Sequence, residues 1–311
     1  MLLLVKGLII IKFSSNIMEL NPSQNHLSKL TIKTPLGNVE ESIPEIYQYE
    51  KSEKKLIKGI YQIEGDLISF KIDDYDNSKD LIIDPWSTFV GGGDIDECYS
   101  AFIDSKKNTY LSGYTGSLDF PVSIGALETI KEGLYDAFLT KIDTTGNILW
   151  STYYGGQGDE FGYKVLVDSD DNPYLIGHTT GNDLLVSANA YQTINNGSYD
   201  SFILKLDTSG NFIWATYFGG SGGELTLAAA IDNNNNIVIG GNSSSTDMPT
   251  VNAFQNTMAG ALDAFVAKFD SSGALLWSTY CGGSSSEDVH VLTTDNQRNV
   301  IIGGESYSSN F

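Results

Sequence analysis

The chain has 311 residues and a formal net charge of −21 at pH 7. A charge this negative repels phosphate backbones, so nucleic acid is excluded as a favoured partner, whereas cations are attracted. The 32 glycines separate short apolar runs, a pattern typical of an all-β protein with many tight turns. Two cysteines, Cys98 and Cys281, exclude a disulfide framework that recurs along the chain and leave a single disulfide open.

The N-terminal segment, residues 1–13, is apolar but contains Lys6 and Lys12. It lacks the basic start and the small-residue cleavage site of a signal peptide, and it is too short to span a membrane. We predict a strand at residues 2–11 instead. No other stretch is long and apolar enough for a transmembrane segment.

Residues 1–83 are predicted to form a small β-rich domain. Alternating apolar residues predict its later strands, at residues 30–34, 46–49, 56–63, 67–72 and 81–83. This part carries 10 Lys and 12 Asp and Glu, whereas residues 84–311 carry 8 Lys and Arg and 27 Asp and Glu. We place a domain boundary at this charge shift, where Pro85 restricts the backbone.

From residue 84 onward the sequence repeats. A tryptophan, followed by a Thr and then by a Gly-Gly pair, opens each copy, with spacings of 64, 64 and 63 residues, at Trp86, Trp150, Trp214 and Trp277. A fixed period of this length is the signature of a repeat architecture. The last copy is incomplete, because the chain ends at Phe311.

The repeat contains four short alternating segments joined by turns rich in Asp, Gly and Asn. In the copy that begins at residue 136 they lie at residues 136–143, 148–154, 163–167 and 174–177. Short turns indicate antiparallel hairpins, so we predict the four-stranded blade of a β-propeller rather than the parallel coil of a β-solenoid. The loop at residues 178–199 accounts for the long period.

The motifs recur in one order: Trp-Ser-Thr-Tyr-x-Gly-Gly, an acidic loop, Val-Asp-x-x-x-Asn-x-Tyr-Leu-x-Gly, Asp-Phe-Pro and Asp-Ala-Phe-x-x-Lys-x-Asp. This order resembles the SBBP repeat, a seven-bladed β-propeller repeat of bacterial exported proteins, over residues 86–311. Residues 34–38, 42–44, 47–48, 74–76 and 81–85 resemble the domain that often precedes such repeats. The resemblance implies an extracellular or cell-surface protein, with a C-terminal sorting domain in many relatives and without defined catalytic residues.

The chain departs from the resemblance in its number of repeats. Three periods and part of a fourth cannot close a seven-bladed ring, so we expect a fragment that lacks further blades and the start of its N-terminal domain. The predicted fold is an incomplete β-propeller of about three to four blades with a small N-terminal β-rich domain. An open arc of blades would expose strand edges and apolar faces, which favours association.

Acidic residues after each Gly-Gly pair are the first candidate site. Equivalent positions would lie on one face of a propeller, and calcium takes several oxygen ligands. We favour the alternative that these acids cap turns and face water. The candidate metal ligands are Asp94, Asp96, Glu97, Asp159, Glu160, Glu224, Glu287 and Asp288.

The other candidates favour structural roles. Residues 168–172 begin like a calcium loop, but they lack its Gly and its distant Glu, and the aligned turns at 104–108 and 295–299 carry Lys or Arg. Tryptophan at one strand position in every repeat indicates packing between blades rather than sugar stacking. The histidines, His26, His178 and His290, share no register, and no zinc spacing is present. Residues 219–223 read Gly-Gly-Ser-Gly-Gly, but this run lies between antiparallel strands with no helix after it, so it is not a Gly-x-Ser-x-Gly nucleophile elbow. We therefore predict no catalytic or cofactor-binding residues.

These observations favour a non-enzymatic structural or binding module of an exported protein, which presents loops of one propeller face to a protein or glycan. Two alternatives stay open. A carboxylate-based polysaccharide hydrolase or lyase would need two carboxylates with different pKa values. A calcium-stabilised adhesin would need a cation held by the acidic loops.

Overall fold

The structure is a computed structural model. It describes residues 90–311 throughout; of residues 1–89 it describes the backbone of ten strands and the side chains of residues 45–50, 53–61 and 71–82. The chain divides into two compact units, Met1–Thr88 and Phe89–Phe311. Among the described residues no helix is long and apolar enough to cross a membrane.

The first unit consists of antiparallel strands. They are β1 (Leu3–Val5), β2 (Leu8–Lys12), β3 (His26–Leu27), β4 (Lys29–Thr34), β5 (Gly37–Ser42), β6 (Glu45–Glu50), β7 (Glu53–Ile57), β8 (Gly59–Glu64), β9 (Leu67–Ile72) and β10 (Ile82–Asp84). The sheets have the orders β1-β2-β9-β8-β3, β10-β6-β7 and β4-β5. The segment predicted as one strand at residues 56–63 is divided between β7 and β8, and Pro85 lies outside the described residues.

The second unit consists of antiparallel sheets that follow one another along the chain. Blade 1 contains β11 (Asp96–Ile103), β12 (Thr109–Thr115), β13 (Asp136–Ile142) and β14 (Ile148–Tyr154); blade 2 contains β15 (Glu160–Val167), β16 (Pro173–Thr179), β17 (Asp200–Leu206) and β18 (Phe212–Phe218); blade 3 contains β19 (Glu224–Ile231), β20 (Ile237–Ser243), β21 (Asp263–Phe269) and β22 (Leu275–Cys281); the final hairpin contains β23 (Glu287–Thr294) and β24 (Val300–Ser306). The predicted all-β propeller fold is confirmed.

Each blade takes its strands from two successive Trp-to-Trp repeats. The Gly-Gly loop after the Trp strand crosses from one sheet to the next, so the sequence copy that begins at residue 136 supplies β13 and β14 to blade 1 and β15 and β16 to blade 2. The first strand of each sheet packs beside the first strand of the next, from β11 to β23. The sheets therefore converge at their first strands, which we call the inner edge.

The core lies between adjacent blades. One cluster joins residues such as Leu139 and Tyr154 of blade 1 to Phe202 of blade 2, and a second joins Ile203 of blade 2 to Phe265 of blade 3. Each fully buried Leu, Ile or Phe side chain contributes about 1.5–3 kcal/mol relative to exposure. The alternation of each strand thus places apolar side chains on both faces of its sheet. The third strands of blades 2 and 3 pack on both faces against neighbouring sheets, whereas the second face of β13 packs against Phe120 of the long loop, so β13, β17 and β21 are buried at every residue.

The long loop of each blade covers the open edge of the fourth strand. In blade 1, Ser123 N–H donates to Ser151 O at 2.9 Å, and Tyr153 N–H donates to Glu128 O at 3.3 Å. Equivalent bonds join Gln192 to Tyr217 in blade 2. The loop occupies backbone groups with which another chain could pair, so it protects the outer edge from association.

A buried ion pair recurs within each blade. The lysine of the third strand contacts the aspartate of the turn between the first two strands, in the pairs Lys141–Asp104, Lys205–Asp168 and Lys268–Asp232. The turns of neighbouring blades are also joined, since Ser105 Oγ donates to Asp171 Oδ2 at 2.7 Å. Asp171 has φ +64°, a left-handed conformation, and its carboxylate also accepts from Ser105 N–H at 3.0 Å.

Candidate functional site

Two consecutive amides after β14 are each held by a carboxylate. Gly155 N–H donates to Glu128 Oε2 at 2.8 Å, and Gly156 N–H donates to Glu160 Oε2 at 3.0 Å. Glu128 belongs to the long loop of blade 1, whereas Glu160 is the first residue of β15. The Gly-Gly turn is thus a concave anion site that the chain fills with its own side chains.

The acid of the inner-edge strand has the same role in every repeat. It accepts the second glycine's N–H in the pairs Gly92–Asp96 (2.7 Å), Gly220–Glu224 (2.7 Å) and Gly283–Glu287 (2.8 Å) as well. A hydroxyl of the second strand donates to its other oxygen, from Thr115, Thr179, Ser243 and Ser306. These carboxylates tie each Gly-Gly loop to the first two strands of its sheet.

The aspartate of the Asp-Phe-Pro motif binds the next amide of the loop. Asp119 Oδ1 accepts from Gly93 N–H at 2.7 Å, and Asp247 Oδ1 accepts from Ser221 N–H at 2.8 Å. Asp183 and Asn310 take the same place in the other repeats. The aspartate of the Asp-Phe-Pro motif thus accepts a hydrogen bond from a third backbone amide of the acidic loop, which explains why the motif recurs.

Glycine is required at the first position of the pair because carboxylates crowd it. A Cβ at Gly155 would lie 2.5 Å from Asp136 Cγ and 2.7 Å from Glu160 Oε2. Both carboxylates are fully buried. A larger residue would displace them from the amides that they bind.

Burial disfavours the charged form of two inner-edge acids, Glu160 and Glu224. It raises the pKa of Glu160 to about 7, although Thr179 and Gly156 donate hydrogen bonds that favour the carboxylate. Burial also raises the pKa of Glu224. Glu160 and Glu224 are therefore internal hydrogen-bond acceptors more than surface charges.

The eight predicted metal ligands are distributed between buried and exposed positions. Asp94 Oδ1 accepts from Ile95 N–H at 2.8 Å, Asp159 accepts from Tyr135 N–H at 3.3 Å, and Asp288 accepts from the Asn242 side chain. Asp96, Glu160, Glu224 and Glu287 bind the glycine amides as described above. Among the described residues no group of three or more His, Cys, Asp or Glu side chains could hold a metal ion. The cation role of these acids stays a prediction.

A row of side chains at the inner edge was not predicted from the sequence. Each first strand has a β-bulge, between Cys98 and Ser100 in blade 1 and at the aligned positions of the other sheets. A bulge turns a side chain out of the alternation of its strand. The residues at these positions, which we call the inner row, are Tyr99, Tyr163, Leu227 and His290. Each lies three residues after the inner-edge acid of its strand, and this constant spacing is visible in the sequence.

The inner row begins with stacked rings. The Tyr99 and Tyr163 rings lie 4.6 Å apart at an interplanar angle of 19°, and Tyr163 stacks in turn on His178 at 4.9 Å. Tyr99 is 39% exposed, whereas His178 is buried, which lowers the pKa of its imidazole to about 4. The stack thus extends from the core to the surface. Burial raises the pKa of the Tyr99 phenol, and a hydrogen bond with the exposed side chain of Glu97 raises it further.

Comparison with known proteins gives two family matches. Residues 17–86 match a domain of unknown function, DUF7948, and residues 149–184 match the SBBP family, described as a beta-propeller repeat. The chain carries an SBBP repeat. This repeat contains β14, the Gly-Gly loop, β15 and β16, so its boundaries follow the Trp-to-Trp period rather than the sheets.

Comparison with individual proteins gives one sequence relative and weak similarities to solved structures. The chain is 22% identical over 316 residues to the uncharacterized WD repeat-containing protein L264 of Acanthamoeba polyphaga mimivirus, covering 88% of this chain and 22% of that protein. The chain therefore spans about a fifth of that relative. A glucose dehydrogenase has a TM-score of 0.30 at 8% identity, covering 96% of both chains, and the Pan2 WD40 domain of Neurospora crassa has 0.29 at 10% identity, covering 92% of this chain and 88% of that one. Scores this low carry no inference about function.

Two of the repeat tryptophans, Trp150 and Trp214, pack between blades, as predicted. Trp150 is 9% exposed, and its Nε1–H donates to Thr208 O in the turn of the next blade at 3.1 Å. Trp214 bonds Ser271 O in the same way at 3.0 Å. Trp277 in β22 is half-buried, and Trp86 lies outside the described residues.

The two cysteines are both free. Cys98 is exposed on β11 and Cys281 is half-buried at the end of β22. The disulfide that the sequence left open is therefore not formed. Burial raises the pKa of both thiols, so neither is an activated nucleophile.

Proposed function

We propose that the SBBP repeats form a non-enzymatic binding module of an exported or cell-surface protein, with the inner row as its contact surface and a glycan as its ligand. The export and surface location rests on the resemblance to repeats of exported proteins. The binding role rests on one observation above all. The ring of Tyr99, 39% exposed, caps an aromatic stack that is anchored in the core through His178.

A sugar ring suits this surface chemically. Aromatic faces bind apolar ring faces at low entropic cost when the side chain is already held, and the stack holds Tyr99 in place. Exposed Glu97 beside it offers oxygens that accept bonds from hydroxyl groups. The net charge of −21 repels uronates and sulfates, so the favoured ligand is a neutral glycan.

The test compares the full-length protein with Tyr99→Ala and Tyr163→Ala on a panel of neutral and acidic glycans. We expect the wild-type protein to bind neutral glycans. In both variants the affinity should fall by about tenfold, which corresponds to the free energy of one aromatic contact. Tyr191→Ala is the matched control, because Tyr191 is 40% exposed but lies in the long loop of blade 2. Equal binding by Tyr99→Ala and the wild type, or no glycan binding at all, contradicts the proposal.

The same panel tests the enzymatic alternative. Release of products that stops in Asp159→Asn would favour the hydrolase or lyase over a binding module. A wild-type protein that binds but releases no product supports the non-enzymatic role.

A further inference from the structure

The residue of the long loop that binds the first glycine of each Gly-Gly pair is not the same in all three blades. In blades 2 and 3 the side chain that binds the first glycine N–H is an amide. Gln192 Oε1 accepts from Gly219 N–H at 2.9 Å, and Gln255 Oε1 accepts from Gly282 N–H at 3.0 Å. Blade 1 has Glu128 at this place, with Oε2 accepting from Gly155 N–H at 2.8 Å.

The amide also donates two hydrogen bonds to fixed acceptors. Gln255 Nε2 donates to Asp263 Oδ2 at 2.8 Å and to Thr257 O at 2.9 Å. Gln192 Nε2 donates in the same way to Asp200 Oδ2 and Ile194 O. The first acceptor is always the aspartate that opens the third strand, and the second is the carbonyl two residues after the glutamine.

Glu128 has the same backbone position as these glutamines. Its N–H donates to Thr152 Oγ1 at 3.0 Å and its carbonyl accepts from Tyr153 N–H at 3.3 Å, which matches Gln192, whose N–H and carbonyl bond Thr216 Oγ1 and Tyr217 N–H. Asp136 Oδ2 accepts from Glu132 N–H at 3.1 Å, as Asp200 Oδ2 accepts from Asn196 N–H. Glu128 therefore takes the place of the glutamine in the loop of blade 1, and the charge of Asp136 acts on its carboxyl group.

Two carboxylate oxygens in this arrangement repel each other unless a proton lies between them. The charges of Glu132, from the same loop, and Glu160, from β15, also act on Glu128, and Asp183, from the loop after β16, acts on Glu160. Lys131 is a cation that acts on Asp136, and its ammonium is bonded to carbonyls of its own loop. Burial, and then the charges of Asp136 and Glu160, raise the pKa of Glu128 to about 8.

We propose that Glu128 retains a proton in the folded protein and donates it to Asp136, so that the long loop of blade 1 is held by a proton-dependent latch that blades 2 and 3 replace with an amide. A carboxylic acid has one O–H where the amide has two N–H groups, so the latch leaves the carbonyl of Ile130 without the donor that Ile194 has in blade 2. Loss of the proton places two charges against each other and loosens the loop from β14.

A groove lies beside the latch. It has a volume of about 530 Å³ and is lined by Glu128, Ile130, Glu132, Asp183 and Leu185, among others. Opening of the loop would widen this groove and expose Gly155 N–H. The latch therefore makes the shape of one loop surface of blade 1 depend on pH. This inference does not depend on the proposed binding of a glycan to the inner row.

The test uses the full-length protein and a reciprocal pair of variants. Glu128→Gln installs the amide in blade 1, and Gln192→Glu installs the acid in blade 2. Melting is followed by tryptophan fluorescence at pH 4.5 and pH 9, since all four tryptophans lie in the repeats or at their start. We expect Glu128→Gln to raise the melting temperature by about 5 °C at pH 9 and much less at pH 4.5, and Gln192→Glu to lower it chiefly at pH 9.

A direct measurement on the wild-type protein tests the ionisation of Glu128 itself. The carboxyl ¹³C shift of Glu128 in the wild-type protein, assigned by its loss in Glu128→Gln, reports ionisation of the pair. Titration above about pH 6.5 supports the latch. Titration near the ordinary value of about 4.3, or an equal change in melting temperature at both pH values, overturns it.

Discussion

The ammonium of Lys205 lies 2.9 Å from the carboxylate of Asp168, and only 9% and 1% of the two side chains are exposed. Both charges have further partners. Asp168 Oδ1 accepts from Asn172 N–H at 2.9 Å, and Lys205 Nζ lies 4.8 Å from the centroid of the Tyr174 ring. The pair joins the third strand of blade 2 to the turn between the first two strands, and the same pair recurs in blades 1 and 3. It is therefore part of the blade's fold rather than a surface contact.

Removal of the lysine alone should destabilise the protein strongly. We expect Lys205→Met to lower the free energy of unfolding by about 3 kcal/mol, because it leaves the Asp168 carboxylate buried without its counter-charge. Urea unfolding at pH 7 measures the loss. Lys106→Met is the matched control, since Lys106 faces Asp171 at 3.9 Å with 70% of its side chain exposed, and it should cost about 0.5 kcal/mol or less. Similar losses in the two variants would contradict a structural role for the buried pair.

The equivalent aspartate of blade 3 should make stability depend on acid pH. Burial opposes ionisation of Asp232, but bonds from Lys268 and Asn236 outweigh it and lower its pKa to about 2. A folded pKa below the unfolded value means that the ionised group stabilises the protein above about pH 4, and that this contribution disappears as the pH falls toward 2. We expect Asp232→Asn to cost about 2 kcal/mol at pH 6 and close to nothing at pH 2, measured by urea unfolding.

Asp295→Asn is the control for this pH dependence. Asp295 holds the aligned turn of the final hairpin through Asn299, at 2.8 Å, but has no lysine beside it in the described part of the chain. Its substitution should give a smaller difference between pH 6 and pH 2. If both variants lose the same stability at both pH values, the lysine does not set the pKa of Asp232.

The repeat period and the alternation within it were enough to predict the blades, because each strand carries its own apolar face and each turn its own Asp, Gly or Asn. The limits of the sheets were not visible in the sequence. The Gly-Gly loop looks like any turn, yet it crosses between sheets, since its amides bind Glu128 on one side and Glu160 on the other. The two strands that flank this loop, β14 and β15, would have the same length and the same alternation whether they paired in one sheet or belonged to two successive sheets.

The candidate site was predicted less well for a related reason. Acids that follow a glycine pair look exposed in a sequence, but Glu160 and Glu224 are fully buried because backbone amides and hydroxyls surround them. The inner row escaped prediction because a bulge removes Tyr99 and Tyr163 from the strand alternation on which the sequence analysis depends. Only the shared register of these two tyrosines after the acid could have indicated them.

Calcium should not stabilise the repeats. A calcium ion needs about six to eight oxygen ligands, whereas the oxygens of Glu160, Glu224 and Glu287 already accept bonds from a glycine amide and a hydroxyl. We expect the melting temperature of the full-length protein to change by less than about 1 °C between millimolar calcium and a chelator. An increase of several degrees that is lost in Asp94→Asn would instead support the predicted cation role of the exposed acids.

Gly210 should be among the least replaceable residues of the turns. It has φ +87°, and a Cβ there would lie 3.0 Å from the Trp150 ring of the preceding blade. We expect Gly210→Ala to lower the free energy of unfolding by about 2–3 kcal/mol, because the alanine is strained and also pushes on a ring that is held by its bond to Thr208. Urea unfolding measures the loss, and a red shift of tryptophan fluorescence would show that the indole has become exposed.

Gly125→Ala separates the two causes of this loss. Gly125 has φ +79°, so an alanine there is strained in the same way, but a Cβ would meet nothing within 4 Å. The control should therefore cost only about 1 kcal/mol and leave the fluorescence unchanged. The remainder of the Gly210→Ala loss then measures the contact between the turn of blade 2 and Trp150. If the two alanines cost the same, that contact contributes nothing, and Trp150 joins the blades through its hydrogen bond and its burial alone.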